Sequence, residues 1–126
     1  MDKLRTIIVP TNKTAMEDLN YGIEYDKVKR DDYLIWHLSE KEFSLLWDSE
    51  IFDCINRNCK TLIDDSEDEC IEYEKLLIVK EIIMQYKKPL RRTLFRRHQQ
   101  PSIELEKLSE LVDKAILYET CVDFAF

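Results

Sequence analysis

The chain has 126 residues and a formal net charge of −7, with 44% hydrophobic and 36% charged residues. This balance is typical of one globular domain with a strongly charged surface, and it argues against a disordered chain. Uninterrupted hydrophobic runs reach only four residues, as at 76–79, whereas a membrane-spanning helix needs ~20. The N-terminal residues MDKLR contain no apolar signal region. We therefore expect a single cytosolic domain over residues 1–126.

The first predicted elements are a strand and a short helix. Residues 3–9 form a β-branched run that stops at a proline, which predicts a strand. Thr14 and Glu17 have the spacing of a capping box, in which the two side chains bond each other's backbone N–H groups. This spacing predicts a helix over residues 15–20.

Two apolar segments and a long helix follow. Alternation at 23–25 predicts an extended segment, and the aromatic and β-branched run at 33–38 predicts a strand. A run this short could also be helical, so an all-α fold stays open as the alternative. Ser39 and Glu42 form a second capping box, and apolar residues at helical spacing then predict an amphipathic helix over 40–58.

The stretch 66–88 predicts the central helix of the fold. Ser66 and Glu69 give a further capping box, and Pro89 ends the segment. The apolar residues between them cover most of the helix circumference, which is typical of a buried helix. We therefore expect a mainly helical α+β fold, with three principal helices around this buried helix and a small N-terminal sheet.

The C-terminal third begins with a basic segment, residues 87–98, which holds six Lys or Arg and no acid. A short basic helix is predicted over 90–97. Ser102 is then expected to cap a last amphipathic helix, and the apolar terminus 121–126 is expected to dock on the body.

The sequence lacks the motifs of an enzyme. It has one glycine, which excludes the usual phosphate-binding glycine loops, and it contains neither G-x-S-x-G nor H-E-x-x-H. His37 is expected to be structural. Cys54 and Cys59 lie five residues apart, a poor fit to zinc-site spacing, so we expect reduced thiols and no metal. We predict no enzymatic activity and no cofactor.

Acidic residues are concentrated before and within the predicted start of the central helix. Residues 64–74 include seven acids and no base. Capping and the helix dipole explain some of this charge. A surface this negative also repels nucleic acid and attracts basic proteins, so we expect a protein partner.

Two segments carry a resemblance to a known family. They are LSEKEFSLLWDSEIFDCIN at 38–56 and IDDSEDE at 63–69, the second preceding an apolar helix. Over 38–86 this pattern resembles the small acidic bacterial immunity proteins encoded beside polymorphic toxins, including those of contact-dependent growth inhibition. The resemblance implies a role in the cytosol: binding and neutralising a cognate protein toxin, often a nuclease domain.

A nuclease active site is basic, so an acidic inhibitor can cover it, with an aromatic side chain as the anchor. Tyr73 is the first candidate anchor and Trp47 the second. Two alternatives remain: a nucleic-acid-associated regulator using residues 87–98, although nucleic-acid contact is not expected at this net charge, and an acidic phage-type inhibitor of a host nuclease. The candidate partner-binding residues are Asp64, Asp65, Glu67, Asp68, Glu69, Glu72, Tyr73 and Glu74.

Overall fold

The computed structural model describes residues 4–20, 32–65, 68–87 and 102–126, and these ranges form five helices and a four-stranded sheet. In chain order the elements are β1 (Arg5–Pro10), α1 (Lys13–Asn20), β2 (Tyr33–Leu38), α2 (Glu40–Asp48), α3 (Ile51–Cys59), β3 (Asp68–Ile71), α4 (Tyr73–Lys87), α5 (Ser102–Tyr118) and β4 (Val122–Ala125). The fold is mainly helical α+β, as predicted, and the all-α alternative is wrong.

The sheet takes its strands from the beginning, middle and end of the chain. Its order is β2-β1-β4-β3, and every pairing is antiparallel. The predicted N-terminal pair is confirmed as β1 and β2, while β3 and β4 were not predicted as strands. The C-terminus does dock on the body, and it does so as an interior strand between β1 and β3.

The two faces of the sheet are covered by different elements. On one face, Ile7 and Phe124 are fully buried in the main core, which they share with apolar residues from α2 to α5. On the other, Ile8 packs with Ala15 of α1 and with Tyr33 of β2. The Tyr33 hydroxyl donates to the Ala15 carbonyl at 3.0 Å, so this buried polar group is satisfied. The chain therefore buries apolar side chains on both faces of β1.

The predicted helix over 40–58 is wrong in one respect, because it is two helices. The Ser39–Glu42 capping box is confirmed at the start of α2. The chain then breaks at Glu50, which has a left-handed φ of 66°. The buried residues of α2 include Leu46, and those of α3 include Ile51 and Ile55. An unbroken helix would rotate these positions away from a common core, and the break restores their alignment.

The predicted start of the central helix is also wrong. The helix begins at Tyr73, and Glu69 lies in β3, where its carboxylate accepts the Leu62 N–H at 2.8 Å. Ser66 lies outside the described residues. Pairing of β3 with β4 therefore overrides the local capping pattern, since a strand that gains a partner satisfies its own backbone groups. At α1 the cap is Asn12, which accepts the Ala15 N–H, rather than the predicted Thr14.

α4 is buried on one face only, which corrects the prediction of a helix buried on most sides. Leu76, Val79 and Ile83 are fully buried against α3 and α5. By contrast, Leu77 is 68% exposed and Met84 is 49% exposed. The apolar residues that fill the rest of the helical wheel therefore form an exposed surface rather than a second buried face.

Two predicted elements lie outside the described residues. They are the extended segment at 23–25 and the basic helix at 90–97, together with most of the basic segment 87–98. Lys87, the first residue of that segment, ends α4 and pairs with Glu106 of α5 at 2.7 Å. Among the described ranges, no helix has both the length and the hydropathy that crossing a bilayer requires.

Candidate protein-binding surface

Strand β3 and its flanking turns present a row of carboxylates at one edge of the sheet. β3 pairs only with β4 in the described sheet, so its other side forms an edge. Asp64 and Asp68 are exposed before and within this strand, and Glu72 and Glu74 are exposed where the chain enters α4. Glu119 is exposed in the turn that leads into β4. We call the group formed by Asp64, Asp68, Glu69, Glu72, Glu74 and Glu119 the acidic edge.

Three of the predicted binding residues differ from the rest. Asp65 is held by Arg5, whose Nε lies 2.7 Å from its carboxylate, and Arg5 also contacts Glu40 at 2.9 Å. The hydrogen bond to Asp65 raises the pKa of the Arg5 guanidinium. Glu69 accepts a backbone N–H, as described above, and Glu67 lies outside the described residues. Asp65 and Glu69 therefore form contacts that stabilise the fold.

The other predicted acids have no such partner. Within the described part of the chain, neither Asp68 nor Glu72 nor Glu74 forms an ion pair. The Asp64 carboxylate accepts only the N–H of the next residue, at 2.6 Å. Glu72 and Glu74 flank the first residue of α4, where the helix dipole favours negative charge. Their carboxylates remain exposed and available to a partner.

A groove of about 650 Å³ opens at the α4 end of the acidic edge. Its volume lies within the ~300–1,000 Å³ range of small-ligand sites. Tyr73, which is 40% exposed, contributes an aromatic ring to the lining. The described lining residues are Lys13, Met16, Cys70, Glu72, Tyr73, Glu74, Glu119, Thr120 and Cys121. The groove thus combines three carboxylates with one base and a partly apolar floor.

Glu119 is the member of this surface that the sequence did not reveal. It follows the last residue of α5 with a left-handed φ of 55°, and its N–H donates to the Ile116 carbonyl at 3.2 Å. The last turn of α5 contains no basic residue. An acid at this end of a helix is unfavourable, since the free carbonyls already carry partial negative charge. One signal in the sequence could have revealed Glu119: it is an acid directly after a predicted helix whose last turn contains no base.

The pKa of Asp123 is influenced by the acids of β3. β-sheet register places it opposite Cys70 of β3, with Asp68 two residues further along the same strand. Burial, and to a smaller extent the charges of Asp68 and Glu69, raise the pKa of Asp123 to about 7. Removing any of these charges would make Asp123 ionise more easily. The negative charge on β3 therefore adds to the effect of burial on Asp123.

The Cys70 thiol beside the groove is poorly suited to act as a nucleophile. Cys70 is hydrogen-bonded to Cys121, and this bond together with burial raises the pKa of the Cys70 thiol. A raised pKa lowers the fraction of reactive thiolate. His37 is exposed on β2, and its Nδ1 lies 3.3 Å from the Thr6 hydroxyl. Nowhere in the described ranges do three His, Cys, Asp or Glu side chains converge as a metal site would require.

The second candidate anchor, Trp47, has a partly structural role. It is 39% exposed, and its ring stacks on Phe43 at 5.4 Å and lies 6.3 Å from Phe52. Both phenylalanines belong to the main core. Replacing Trp47 would therefore disturb the core as well as any contact on its exposed side.

An exposed apolar surface continues from the groove along α4. Ion pairs Lys80–Asp113 and Lys87–Glu106 set α4 and α5 antiparallel, so Leu77 lies beside the stretch of α5 that carries Leu117. The exposed apolar residues are Leu77, Ile78 and Met84 of α4 and Leu117 of α5. Apolar area next to charged residues is a common feature of protein–protein interfaces.

Comparison with known proteins identifies a shared fold. No protein-family model matches the chain, and no curated protein matches it. Among solved structures, the chain is similar to the Neisseria DNA mimic protein DMP12, with a TM-score of 0.58 and 14% sequence identity. The match covers 99% of this chain and 100% of that one. At this identity the likeness establishes that the two proteins share a fold over their full lengths.

Proposed function

We propose that this chain is a non-enzymatic inhibitor that binds the nucleic-acid-binding surface of a basic protein through its acidic edge. The observation that carries the proposal is the set of exposed carboxylates at this edge that lack ion-pair partners among the described residues. An acid that stabilises its own fold normally has a counter-charge or a cap. Among the described residues these acids have no counter-charge, and a basic partner would supply one.

The chemistry of this surface resembles that of a nucleic-acid backbone. Carboxylates, like phosphates, accept hydrogen bonds from Arg and Lys and complement a positive potential. Proteins that bind DNA gain much of their affinity from such sequence-independent contacts with phosphates. A row of unpaired carboxylates can therefore occupy the same basic surface and exclude DNA from it.

The structural comparison supports this proposal through the name of the neighbour, a DNA mimic protein that shares the fold at full length. A fold can serve unrelated functions, so the argument depends on the site. Here the site and the neighbour's name agree. Both support the proposal that this chain takes the place of DNA on a basic protein.

For the identity of the partner we propose a nuclease toxin, with this chain as its immunity protein in the cytosol of the producing cell. The support is the sequence resemblance over 38–86 and the basic charge that a nuclease needs to hold its substrate. A host nuclease bound by a phage-type inhibitor would present the same basic surface. The regulator hypothesis differs from both, because it would use residues 87–98 to contact nucleic acid itself.

Capture followed by elution with DNA tests the general proposal. The purified chain is immobilised, incubated with extract of the cells that encode it, and eluted with duplex DNA at constant ionic strength. We expect a basic DNA-binding protein to be released, because DNA and the acidic edge compete for one surface. A parallel column carries the variant Asp68→Lys/Glu72→Lys/Glu74→Lys, which should capture little of it. Failure of DNA to release any protein specific to the parent column would contradict the proposal.

Co-expression tests the immunity hypothesis separately. The reading frame directly upstream is expressed alone and together with this chain. If the hypothesis holds, its product is a toxic nuclease, and the parent chain restores growth whereas the charge-reversed variant does not. A harmless upstream product would remove the immunity role and leave the inhibitor proposal open to the capture experiment.

A further inference from the structure

We propose that the groove beside Tyr73 binds an arginine side chain of the partner, and that this contact anchors the complex. The inference rests on the proposed function and specifies its central contact. The groove has about 650 Å³ of space, carboxylates on its walls and a half-exposed aromatic ring. These features together fit a cationic side chain that also has a flat, weakly hydrated surface.

The end of α5 favours a positively charged group in the groove. The N–H groups of Glu119 and Thr120 cap two of the terminal carbonyls of α5, and no base in the last helical turn offsets the negative end of the dipole. Glu119 adds a full negative charge where the dipole favours a positive one. Glu72 and Glu74, at the start of α4, also line the groove. A bound cation would compensate the charge of Glu119 and interact favourably with the negative end of the helix dipole.

Tyr73 favours arginine over lysine as the side chain that binds in the groove. A guanidinium group is planar and stacks on aromatic faces, whereas an ammonium group is a compact and strongly hydrated charge. Guanidinium also donates two parallel hydrogen bonds to one carboxylate and further bonds to a second. A groove lined by a tyrosine and three glutamates can use all of these donors.

Lys13 provides a further test, because it places a positive charge beside the groove. It is the only basic residue among the described lining of the groove, and it forms no ion pair there with a described acid. Its ammonium group repels an incoming cation, so Lys13→Gln is expected to tighten arginine binding about twofold. A purely structural role for the groove would not predict a gain in affinity from this substitution.

The test uses the ¹⁵N-labelled full chain and three blocked tripeptides, Gly-X-Gly, in which X is arginine, lysine or citrulline. Citrulline has the shape of arginine and no charge. We expect the arginine peptide to shift the amide signals of Tyr73, Glu119, Thr120 and Cys121, with a dissociation constant in the millimolar range. Citrulline should bind about tenfold more weakly, and lysine should lie between the two.

Three variants assign the contact to the groove. Glu119→Gln and Tyr73→Ala should each weaken arginine binding about fivefold or more, as expected for loss of a charged and an aromatic contact. The matched control is Glu81→Gln, which neutralises an exposed acid of α4 outside the groove. It should leave the dissociation constant unchanged. Melting curves confirm that each variant is folded.

Some outcomes would overturn the inference. They are equal binding of the arginine and citrulline peptides, signal changes spread over all exposed acids, or an equal effect of Glu81→Gln and Glu119→Gln.

Failure of this inference is distinguishable from failure of the proposed function. If Tyr73→Ala and Glu119→Gln still bind the captured protein like the parent, the groove is not the anchor, although the acidic edge still acts as the inhibitor surface. If arginine binds the groove but DNA releases no protein from the column, the proposed function fails instead.

Discussion

The acids of the paired helices and the acids of the acidic edge differ in one respect, which is the presence of a counter-charge. Along α4 and α5, Lys80 pairs with Asp113 at 2.7 Å, and Lys87 pairs with Glu106 at the same distance. Around the groove, by contrast, Glu72 forms no ion pair with any described residue. Both regions are exposed and both are rich in acids, so composition alone does not separate them.

This difference indicates which acids serve the fold and which are available to a partner. The paired acids each have a counter-charge on the neighbouring helix, so their charge is already compensated. The exposed acids of the edge lack such a pair among the described residues, and the charges of Asp68 and Glu69 add to the effect of burial in raising the pKa of Asp123. Natural proteins accept such local destabilisation mainly at functional sites. Each prediction below changes one side of this comparison, beginning with the largest expected effect.

Asp123→Asn should change the pH dependence of stability. The pKa of Asp123 is raised from 3.8 to about 7 in the folded chain, so the folded state binds the proton more tightly than the unfolded one. This contribution to stability is fully present below pH ~4 and is lost as the pH rises through ~7, by at most about 4 kcal/mol. The asparagine variant should lose this slope. Urea unfolding at pH 5 and pH 8 measures it.

Asp68→Asn provides the accompanying control, because it removes a neighbouring charge and leaves Asp123 in place. Its slope should lie between those of the parent and of Asp123→Asn. Identical slopes for all three chains would mean that Asp123 does not titrate in this range, and the argument from its raised pKa would fail.

Substitutions at Arg5, Asp65 and Asp64 should show that two acids adjacent in sequence differ in their contribution to stability. Arg5 contacts the Asp65 carboxylate at 2.7 Å and lies 3.9 Å from the centre of the Phe43 ring. Losing these contacts in Arg5→Gln should lower the free energy of unfolding by about 2 kcal/mol, the usual scale for charged hydrogen bonds. Asp65→Asn should cost about half as much, and Asp64→Asn almost nothing. Equal costs for Asp64→Asn and Asp65→Asn would show that the ion pair does not distinguish these acids.

The smallest effect is expected on the paired helices. A double-mutant cycle on Lys80 and Asp113, each changed to Ala, should give a coupling energy below about 1 kcal/mol, because both side chains are nearly half exposed. The same cycle on Lys75 and Glu74, which form no ion pair in the structure, should give a value near zero. Chemical denaturation of the four chains in each cycle supplies both values. A larger coupling for Lys75 and Glu74 would contradict the contrast between the two regions.

Local patterns in the sequence predicted the elements whose signals are themselves local. The run at 33–38 is a strand with the predicted bounds, and the Ser39 capping box is present. The predicted last helix is present, and it begins at Ser102, the residue that was predicted to cap it. In these cases the propensity of the residues and their tertiary environment favour the same structure.

The failures occurred where tertiary pairing opposed a local signal. Glu69 has the spacing of a helix cap, but pairing of β3 with β4 places it in a strand. The helix break at Glu50 follows from the direction of the core, which no short window reveals. The candidate site was predicted in part: Tyr73 and Glu72 line the groove, whereas Glu119 comes to it from a distant part of the chain.

The most direct test of the central claim is competition with DNA, measured by fluorescence anisotropy. A labelled duplex is bound to the captured basic protein and titrated with this chain, with Asp68→Lys/Glu72→Lys/Glu74→Lys, and with a matched control, Asp48→Lys/Asp53→Lys/Glu110→Lys. The account predicts that the parent and the control displace the duplex at similar concentrations, and that the edge variant requires about 100-fold more. Displacement by the edge variant at the parent's concentration would contradict the claim that these carboxylates occupy the DNA-binding surface.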